Sequence, residues 1–145
     1  MNAVPSAVLL DTCALIWLAN GDPLPAAVLA SIVAAGGAQG IFVSPVSAWE
    51  IGLLAKPRVR RDPALIFLPD PKTWFSLFLA GPGIKLAAFT PDIAIDASWL
   101  PGELHGDPGD RMIIATARHL RIPVVTRDRK MIAYGAAGHV EVVAC

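Results

Sequence analysis

The chain has 145 residues, and its 12 Lys and Arg residues balance its 12 Asp and Glu residues, so the formal net charge is zero. This length favours a single domain over residues 1–145, and a hydrophobic content of 54% excludes a mainly disordered chain. The zero net charge excludes a uniformly basic nucleic-acid binder, but it leaves open how the charges are distributed.

Short apolar strands alternate with helices along the sequence. In chain order we expect a strand at 7–10, helices at 14–19 and 23–35, a strand at 41–43, helices at 45–55 and 71–80, a strand at 84–88, helices at 91–100 and 110–120, a strand at 122–125, a helix at 129–134 and a strand at 140–143. Such alternation predicts an α/β domain with a largely parallel sheet, in which ligands bind at the carboxyl ends of the strands.

Six of the 13 prolines directly follow a residue that can cap a helix. These pairs are Asp22-Pro23, Ser44-Pro45, Asp62-Pro63, Asp70-Pro71, Thr90-Pro91 and Asp107-Pro108. A capping side chain followed by proline is typical of the first turn of a helix, so the prolines indicate where helices begin.

The two cysteines, Cys13 and Cys145, form neither a disulfide framework nor a zinc-type spacing, which favours a reducing cytoplasm. We expect Cys13 to be a buried structural thiol. His105, His119 and His139 lack ligand spacing, so we expect structural or surface roles for them. The apolar N-terminal segment has no basic region and contains Asp11, and residues 26–38 are too few to span a bilayer, so we expect no membrane partner.

Four acidic residues stand where a surface acid is not expected. Asp11 directly follows the first strand, and Asp128 lies just beyond the strand at 122–125. Glu50 and Asp110 each share a helix face with apolar residues at helical spacing. Each position alone also suits an ordinary cap, turn or paired acid, but the four together predict a shared site. Clustered carboxylates repel one another unless a cation or protonation intervenes, and oxygen ligands without a His/Cys set favour Mg²⁺ or Mn²⁺ over zinc.

Four sequence segments carry a family resemblance. They are LLDTCAL at 9–15, VSAWEI at 46–51, HGDPGDRMIIATA at 105–117 and VTRD at 125–128. In this order and spacing, across nearly the whole chain, they resemble the PIN domain, and within it the VapC-type ribonuclease toxins of type II toxin–antitoxin pairs. The resemblance implies an α/β fold of the PIN type, a three-layer α/β/α sandwich with a short, mostly parallel central sheet.

The resemblance also implies a set of site residues. The catalytic residues and metal ligands are Asp11, Glu50, Asp110 and Asp128, with Asp107 and Thr126 as auxiliary residues. The implied activity is that of an endoribonuclease, in which bound Mg²⁺ or Mn²⁺ activates a water that hydrolyses an RNA phosphodiester and leaves a 5′-phosphate.

The chain departs from the usual family pattern at two positions in the segment 105–110. Gly106 stands where the family usually has a basic residue, and Gly109 stands where it usually has an aromatic residue. Neither departure affects the four principal acids.

Ten of the 12 basic residues fall in two stretches near the acids. The first contains Lys56, Arg58, Arg60 and Arg61, and the second contains Arg111, Arg118, Arg121, Arg127, Arg129 and Lys130. With metal in the acidic site, this surround becomes positive enough to hold an RNA backbone. The predicted RNA contacts are Arg111, Arg127, Arg129 and Lys130.

Apolar residues on two helical regions exceed what a small sheet obviously covers. They are Trp74, Phe75, Phe78 and Leu79, together with the region 14–33. We expect part of this surface to form a homodimer or a groove for a cognate antitoxin, while burial of all of it in the core is the alternative.

Two other functions remain open from the sequence. A catalytically silent PIN-like module would bind RNA or a protein without cleaving RNA. A haloacid-dehalogenase-like phosphatase also begins with an Asp after a strand, but it requires a second acid two positions later, where this chain has Cys13.

Overall fold

The computed structural model describes residues 4–57 and 64–145. Within these ranges the chain forms five strands and seven helices. In chain order they are β1 (Ala7–Leu10), α1 (Thr12–Asn20), α2 (Ala26–Gly36), β2 (Gly40–Val43), α3 (Pro45–Ala55), α4 (Pro71–Leu79), β3 (Ile84–Leu86), α5 (Pro91–Ser98), α6 (Pro108–Leu120), β4 (Val124–Thr126), α7 (Arg129–Ala136) and β5 (Val142–Ala144).

The strands form one sheet with the order β3-β2-β1-β4-β5, and every recorded strand pair is parallel. The central strand is β1, where Leu9 lies opposite Phe42 of β2 and Val124 of β4. The predicted α/β architecture with a short, mostly parallel sheet is therefore confirmed.

The strand order creates a crevice at one edge of the sheet. The chain builds outward from β1 through β2 to β3, and then returns to place β4 on the other side of β1. The connections that follow β1 and β4 therefore diverge, and ligands of open α/β sheets bind at such a point, beyond the carboxyl ends of the strands. Asp11 directly follows β1, and Thr126 is the last residue of β4.

Helices cover both faces of the sheet because successive residues of a strand point to opposite sides. Val8 and Leu10 of β1 lie in a buried cluster with residues of α1, α2, α3 and α4. Leu9 lies in a second cluster with Ile113 of α6 and Met131 of α7. Helix α5 packs against α6 through Ile93. These two cores give the three-layer α/β/α sandwich that the sequence predicts.

Four of the six capping pairs mark helix starts as predicted, at Pro45, Pro71, Pro91 and Pro108. The pair Asp22-Pro23 does not, because α2 begins at Ala26 with Pro25 as its N-cap. A residue before proline is disfavoured in the helical region, so the second proline delays the helix. The pair Asp62-Pro63 lies outside the described residues.

Helix α6 also differs from the prediction, since it begins at Pro108 and not at Asp110. The side chain of Asp107 caps it, which places Asp110 in the third helical position. No helix in the described ranges has the length and apolar character needed to cross a bilayer.

The fold makes a direct prediction about the central strand. Leu9 is fully buried, so Leu9→Ala is expected to lower the free energy of unfolding by about 2–5 kcal/mol through lost burial and an unfilled cavity. The matched variant Leu77→Ala, at a side chain that is 64% exposed, is expected to change it by less than about 0.5 kcal/mol. Urea denaturation of both variants measures the difference, and equal losses would contradict the assigned core.

Candidate active site

Three aspartates cap helices whose N-termini meet at the carboxyl edge of the sheet. Asp11 Oδ1 accepts a hydrogen bond from the Ala14 amide of α1 at 2.8 Å. Asp107 Oδ1 accepts one from the Asp110 amide of α6 at 2.9 Å. Asp128 Oδ1 accepts one from the Met131 amide of α7 at 2.9 Å. The partial positive charge of each helix N-terminus therefore offsets part of the negative charge.

Asp11 is the most buried of these acids, with 7% of its surface exposed. Its second oxygen, Oδ2, accepts a hydrogen bond from Thr126 Oγ1 at 2.5 Å. The same Thr126 oxygen accepts a hydrogen bond from the Asp128 amide at 3.0 Å. The predicted auxiliary residue Thr126 thus bridges the ends of β1 and β4 and fixes Asp11 relative to Asp128.

Glu50 reaches the same edge from α3. Its Oε1 accepts a hydrogen bond from Thr12 Oγ1 at 2.5 Å, and Thr12 directly follows Asp11. Partial burial is the largest cause that raises the pKa of Glu50, and the negative charge of Asp110 raises it further. Glu50 is therefore a half-buried carboxylate that faces other acids.

Asp110 lies in the first turn of α6, where its Oδ2 is 2.7 Å from His105 Nε2. Burial raises the pKa of Asp110, the hydrogen bond from His105 lowers it, and the charges of Asp107 and Asp128 raise it again. The net direction is upward, so the ionised form of Asp110 is disfavoured by its surroundings.

The four principal acids are close enough to influence one another's ionisation. Burial raises the pKa of Asp11 to about 6, against the hydrogen bonds from Thr126 and Ala14, and the charges of Asp110 and Asp128 contribute in the same upward direction. Glu50 responds to both Asp110 and Asp11. Asp11, Glu50, Asp110 and Asp128, which we call the acidic cluster, therefore act on one another electrostatically, and their catalytic role stays a prediction.

Several carboxylate oxygens in this cluster have no donor among the described residues. Glu50 Oε2, Asp110 Oδ1 and Asp128 Oδ2 accept no recorded hydrogen bond from the described part of the chain. Carboxylate oxygens are the ligands that Mg²⁺ and Mn²⁺ prefer. Among the described residues, the one group of three or more His, Cys, Asp or Glu side chains whose ligand atoms all lie within 4.8 Å of one another is His105, Asp107 and Asp110, and it shares only Asp110 with the four principal acids. The donor set therefore fits a divalent cation.

His105 is a site residue that the sequence interpretation missed. We expected a structural or surface role, whereas its ring contacts Asp110 directly. The buried Nδ1 has no partner in the described chain, so the tautomer that donates from Nε2 avoids leaving a buried N–H unpaired. Its position five residues before Asp110, just outside the helix, is the signal that points to such a contact.

Arg111 holds the segment that carries His105. Its Nε donates to the Ala97 carbonyl at 2.9 Å, and its Nη1 donates to the carbonyls of Leu104 at 3.1 Å and His105 at 3.4 Å. These bonds commit part of the guanidinium to the loop before α6. The predicted RNA contact of Arg111 stays a prediction beside this structural role.

Fewer basic residues lie around the acidic cluster than the sequence predicts. Arg127, Arg129 and Lys130 are exposed around Asp128, and the Arg127 guanidinium lies 4.0 Å from the Trp17 ring centroid. Arg118 and Arg121 were expected near the site, but they stand at the opposite end of α6, and Arg118 is about 12 Å along the helix axis from Asp110.

Those two arginines line an open cavity together with Pro123 and Val142, at the far edge of the sheet. In the first basic stretch Lys56 is exposed, while Arg58, Arg60 and Arg61 lie outside the described residues.

Cys13 also differs from the expectation of a buried thiol, because it is exposed on α1. The side chains at positions 12 and 14 face inward, so the intervening Cys13 points outward. Partial desolvation of the thiol raises its pKa to about 11, and the charges of Asp11 and Glu50 add to the shift. Cys13 is thus a neutral thiol near the acidic cluster.

Comparison with known proteins agrees with this architecture. The PIN domain family model matches residues 8–137. Ribonuclease VapC22 of Mycobacterium tuberculosis is 40% identical over 48 residues, a segment that spans 33% of this chain and only 37% of that protein.

Solved structures with the same fold are more distant in sequence. VapBC2 from Rickettsia felis, bound to a DNA fragment from its promoter, matches with a TM-score of 0.65 and 13% identity over 95% of this chain and 98% of that chain. DNA-bound VapBC from Salmonella typhimurium matches with a TM-score of 0.63 and 15% identity over 95% of this chain and 97% of that chain.

The raised pKa of Asp11 predicts a pH-dependent stability in metal-free protein. The folded state holds the Asp11 proton more tightly than the unfolded chain does, because the pKa rises from 3.8 to about 6 on folding. Stability is therefore expected to fall by up to about 3 kcal/mol as the pH rises from about 4 to about 7. Urea denaturation in EDTA measures this loss.

Two variants isolate the contribution of Asp11. Asp11→Asn removes the titrating group, so its stability should fall less over the same pH range, while Asp92→Asn, at an exposed acid on α5, should behave like the unmodified chain. Identical pH profiles for all three proteins would refute the assignment to Asp11.

Proposed function

The chain belongs to the PIN domain family, and on that premise we propose that it is an Mg²⁺- or Mn²⁺-dependent endoribonuclease, the toxin of a type II toxin–antitoxin pair that acts in the cytoplasm. The observation that carries the proposal is the acidic cluster of Asp11, Glu50, Asp110 and Asp128 at the carboxyl ends of β1 and β4. The raised pKa values of Asp11, Glu50 and Asp110 support this proposal, because without a cation their charged forms are disfavoured there.

The four carboxylates would contribute to cation binding in different ways. Glu50, Asp110 and Asp128 each keep one oxygen that accepts no recorded hydrogen bond from the described chain, so these three oxygens would be ligands. Both oxygens of Asp11 already accept one hydrogen bond, and their second lone pairs remain for a ligand role. A bound Mg²⁺ or Mn²⁺ would lower the pKa of a water and neutralise phosphate charge.

The chain's own groups orient the reaction. Glu50 combines a raised pKa with a fixed position on α3, which suits a group that orients a water and accepts its proton. Thr126 and the Ala14 amide keep the Asp11 carboxylate in one orientation, so that it is preorganised before RNA arrives.

The RNA backbone would lie across the exposed cations beside the cluster. Arg129 and Lys130 open α7 directly after Asp128, and Arg127 stands between Thr126 and Asp128. Their positive charges would contact phosphates on either side of the scissile bond. This local concentration of positive charge supports RNA binding in a chain whose net charge is zero.

The decisive experiment is cleavage of RNA in the presence of Mg²⁺ or Mn²⁺. Asp11→Asn and Asp110→Asn are each expected to lower kcat by about 100-fold or more, because each removes a charged oxygen from the cluster. EDTA should abolish cleavage, and Asp92→Asn serves as the matched Asp-to-Asn control with unchanged activity.

Each alternative function has a distinct outcome in the same assay. Activity that survives both substitutions and chelation would overturn the metal-dependent nuclease. RNA binding without cleavage in any metal would instead support the silent binding module, and hydrolysis of a small phosphoester without RNA cleavage would support a phosphatase.

A partner protein is the second part of the proposal. Part of the surface expected to form its groove is used in the core, since Phe75 is buried and Trp74, Phe78 and Leu79 pack against the same cluster. In the region 14–33, Leu29 and Val33 of α2 are exposed. A second group of exposed apolar side chains lies on α3, on α4 and on residues 64–70 between them. They are Trp49, Leu53, Leu65, Ile66, Leu68 and Leu77, which we call the α3–α4 apolar surface.

We assign the cognate antitoxin to the α3–α4 apolar surface. Solved structures of similar fold support a partner of this kind, since one is of a VapBC toxin–antitoxin system from Mycobacterium tuberculosis and another is a toxin–antitoxin complex from Klebsiella pneumoniae. The Leu65 amide donates to the Leu54 carbonyl at 2.9 Å, which holds Leu65 beside the end of α3. A homodimer stays a prediction.

A matched pair of exposed isoleucines tests the antitoxin surface. Ile66→Asp places a charge on it, at a side chain that is 81% exposed, and is expected to weaken antitoxin binding at least tenfold by calorimetry. Ile95→Asp, at a 59% exposed side chain on α5, should leave antitoxin binding unchanged. The reverse pattern would move the antitoxin to α5, and light scattering of the same proteins reports whether either substitution breaks a homodimer.

A further inference from the structure

A chain of hydroxyl groups fixes one side of the Glu50 carboxylate. Thr12 Oγ1 lies 2.5 Å from Glu50 Oε1 and 2.9 Å from Ser47 Oγ. An ionised carboxylate only accepts, so the single Thr12 hydroxyl hydrogen goes to Glu50, and Ser47 must donate to Thr12. Both hydroxyl residues are buried, which makes this direction of donation hard to replace by water.

Gly109 lies against the other side of the same carboxylate. A Cβ atom at position 109 would stand 2.8 Å from both Cδ and Oε2 of Glu50. Real Cβ atoms essentially never approach other heavy atoms so closely, so the Glu50 carboxylate in its present conformation occupies the space that a Cβ at this position would need. The expectation that the glycine at position 109 leaves the four principal acids unaffected is therefore wrong.

The glycine is not required by the backbone. Gly109 lies in the first turn of α6 and is absent from the positive-φ glycines of the described chain. Glycine is among the least favourable residues in a helix, because it loses the most conformational entropy on folding. Its presence at position 109 therefore needs a separate reason, and the close approach of Glu50 supplies one.

The approach also determines which group Glu50 faces. Gly109 immediately precedes Asp110, so a carboxylate seated on Gly109 is held beside Asp110 on the same helical turn. Helix α3 and helix α6 contact each other, and this carboxylate forms part of that contact. The contact with Gly109 therefore places Glu50 of α3 beside the acidic residue of α6.

We propose that Thr12, Ser47 and Gly109 form a slot that holds the Glu50 carboxylate against α6, and that Gly109 is a positioning residue of the metal site. The proposal rests on the proposed function for its catalytic consequence, but the slot itself is a property of the metal-free chain. Gly109 acts only through Glu50 and touches no substrate.

Gly109→Ala tests the slot without unfolding the protein. The added Cβ would clash with the end of a flexible side chain, so Glu50 is expected to rotate away while α6 gains a better helix former. We expect an unchanged or higher Tm, at least tenfold weaker Mn²⁺ binding by calorimetry, and at least tenfold lower kcat for RNA cleavage. A merely structural role for Gly109 would instead lower Tm and leave Mn²⁺ binding intact.

Gly52→Ala is the matched control. Gly52 is also a helical glycine, on the same helix as Glu50, and a Cβ there meets nothing within 4 Å. This substitution is expected to raise Tm in the same way while leaving Mn²⁺ affinity unchanged. On the other side of the carboxylate, Thr12→Val should weaken Mn²⁺ binding as Gly109→Ala does, and Thr12→Ser should restore it.

Crystal structures of the metal-free variants separate this proposal from the proposed function. Glu50 should leave Thr12 in Gly109→Ala and remain bonded to it in Gly52→Ala. If Glu50 keeps its place in Gly109→Ala, or if both alanine variants bind Mn²⁺ like the unmodified chain, the slot is overturned. A chain that never cleaves RNA would refute the nuclease, while the crystallographic result would still decide the slot.

Discussion

Mutual repulsion among carboxylates is the constraint on which the rest of the structure depends. Two ionised carboxylates about 5 Å apart repel by roughly 3 kcal/mol at an effective dielectric constant of about 20. The chain offsets this cost with three helix N-termini, capped by Asp11, Asp107 and Asp128, and with the hydroxyls of Thr12 and Thr126. A parallel sheet supplies such helix starts at its carboxyl edge, because each strand there leads into a helix.

Capping a helix and holding a cation are compatible roles for the same aspartate. Asp128 Oδ1 accepts a hydrogen bond from the Met131 amide, and no described residue donates to its Oδ2. Both oxygens of Asp11 instead accept hydrogen bonds from protein donors, and Asp11 is the most buried acid of the cluster. Its pKa of about 6 shows that two hydrogen bonds do not fully compensate for burial beside other acids. The capping hydrogen bonds therefore fix the orientation of each carboxylate, and its remaining lone pairs are available to bind a cation.

Local patterns predicted much of this arrangement, and long-range packing determined the rest. Strand ends, capping pairs and helix faces correctly brought Asp11 and Glu50 to one edge, because these signals lie within a few residues of each acid. The contacts that fix the carboxylates join residues 38 and 115 positions apart, from Thr12 to Glu50 and from Thr126 to Asp11, and no local pattern encodes such distances. The prediction that Arg118 lies near the site was wrong because Arg118 follows Asp110 by eight helical residues, so the two side chains lie at opposite ends of α6.

The zero net charge is the sum of charged groups that are distributed unevenly over the structure. Five of the 12 acidic residues belong to the proposed site, and the cations Arg127, Arg129 and Lys130 are exposed beside it. Any cation that binds only the folded cluster would stabilise the fold by relieving this repulsion, so metal binding and folding are thermodynamically linked. The proposed slot accounts for a glycine at a helical position. Glycine costs α6 up to about 1 kcal/mol of helix propensity relative to alanine, and it leaves the space in which the Glu50 carboxylate lies beside α6.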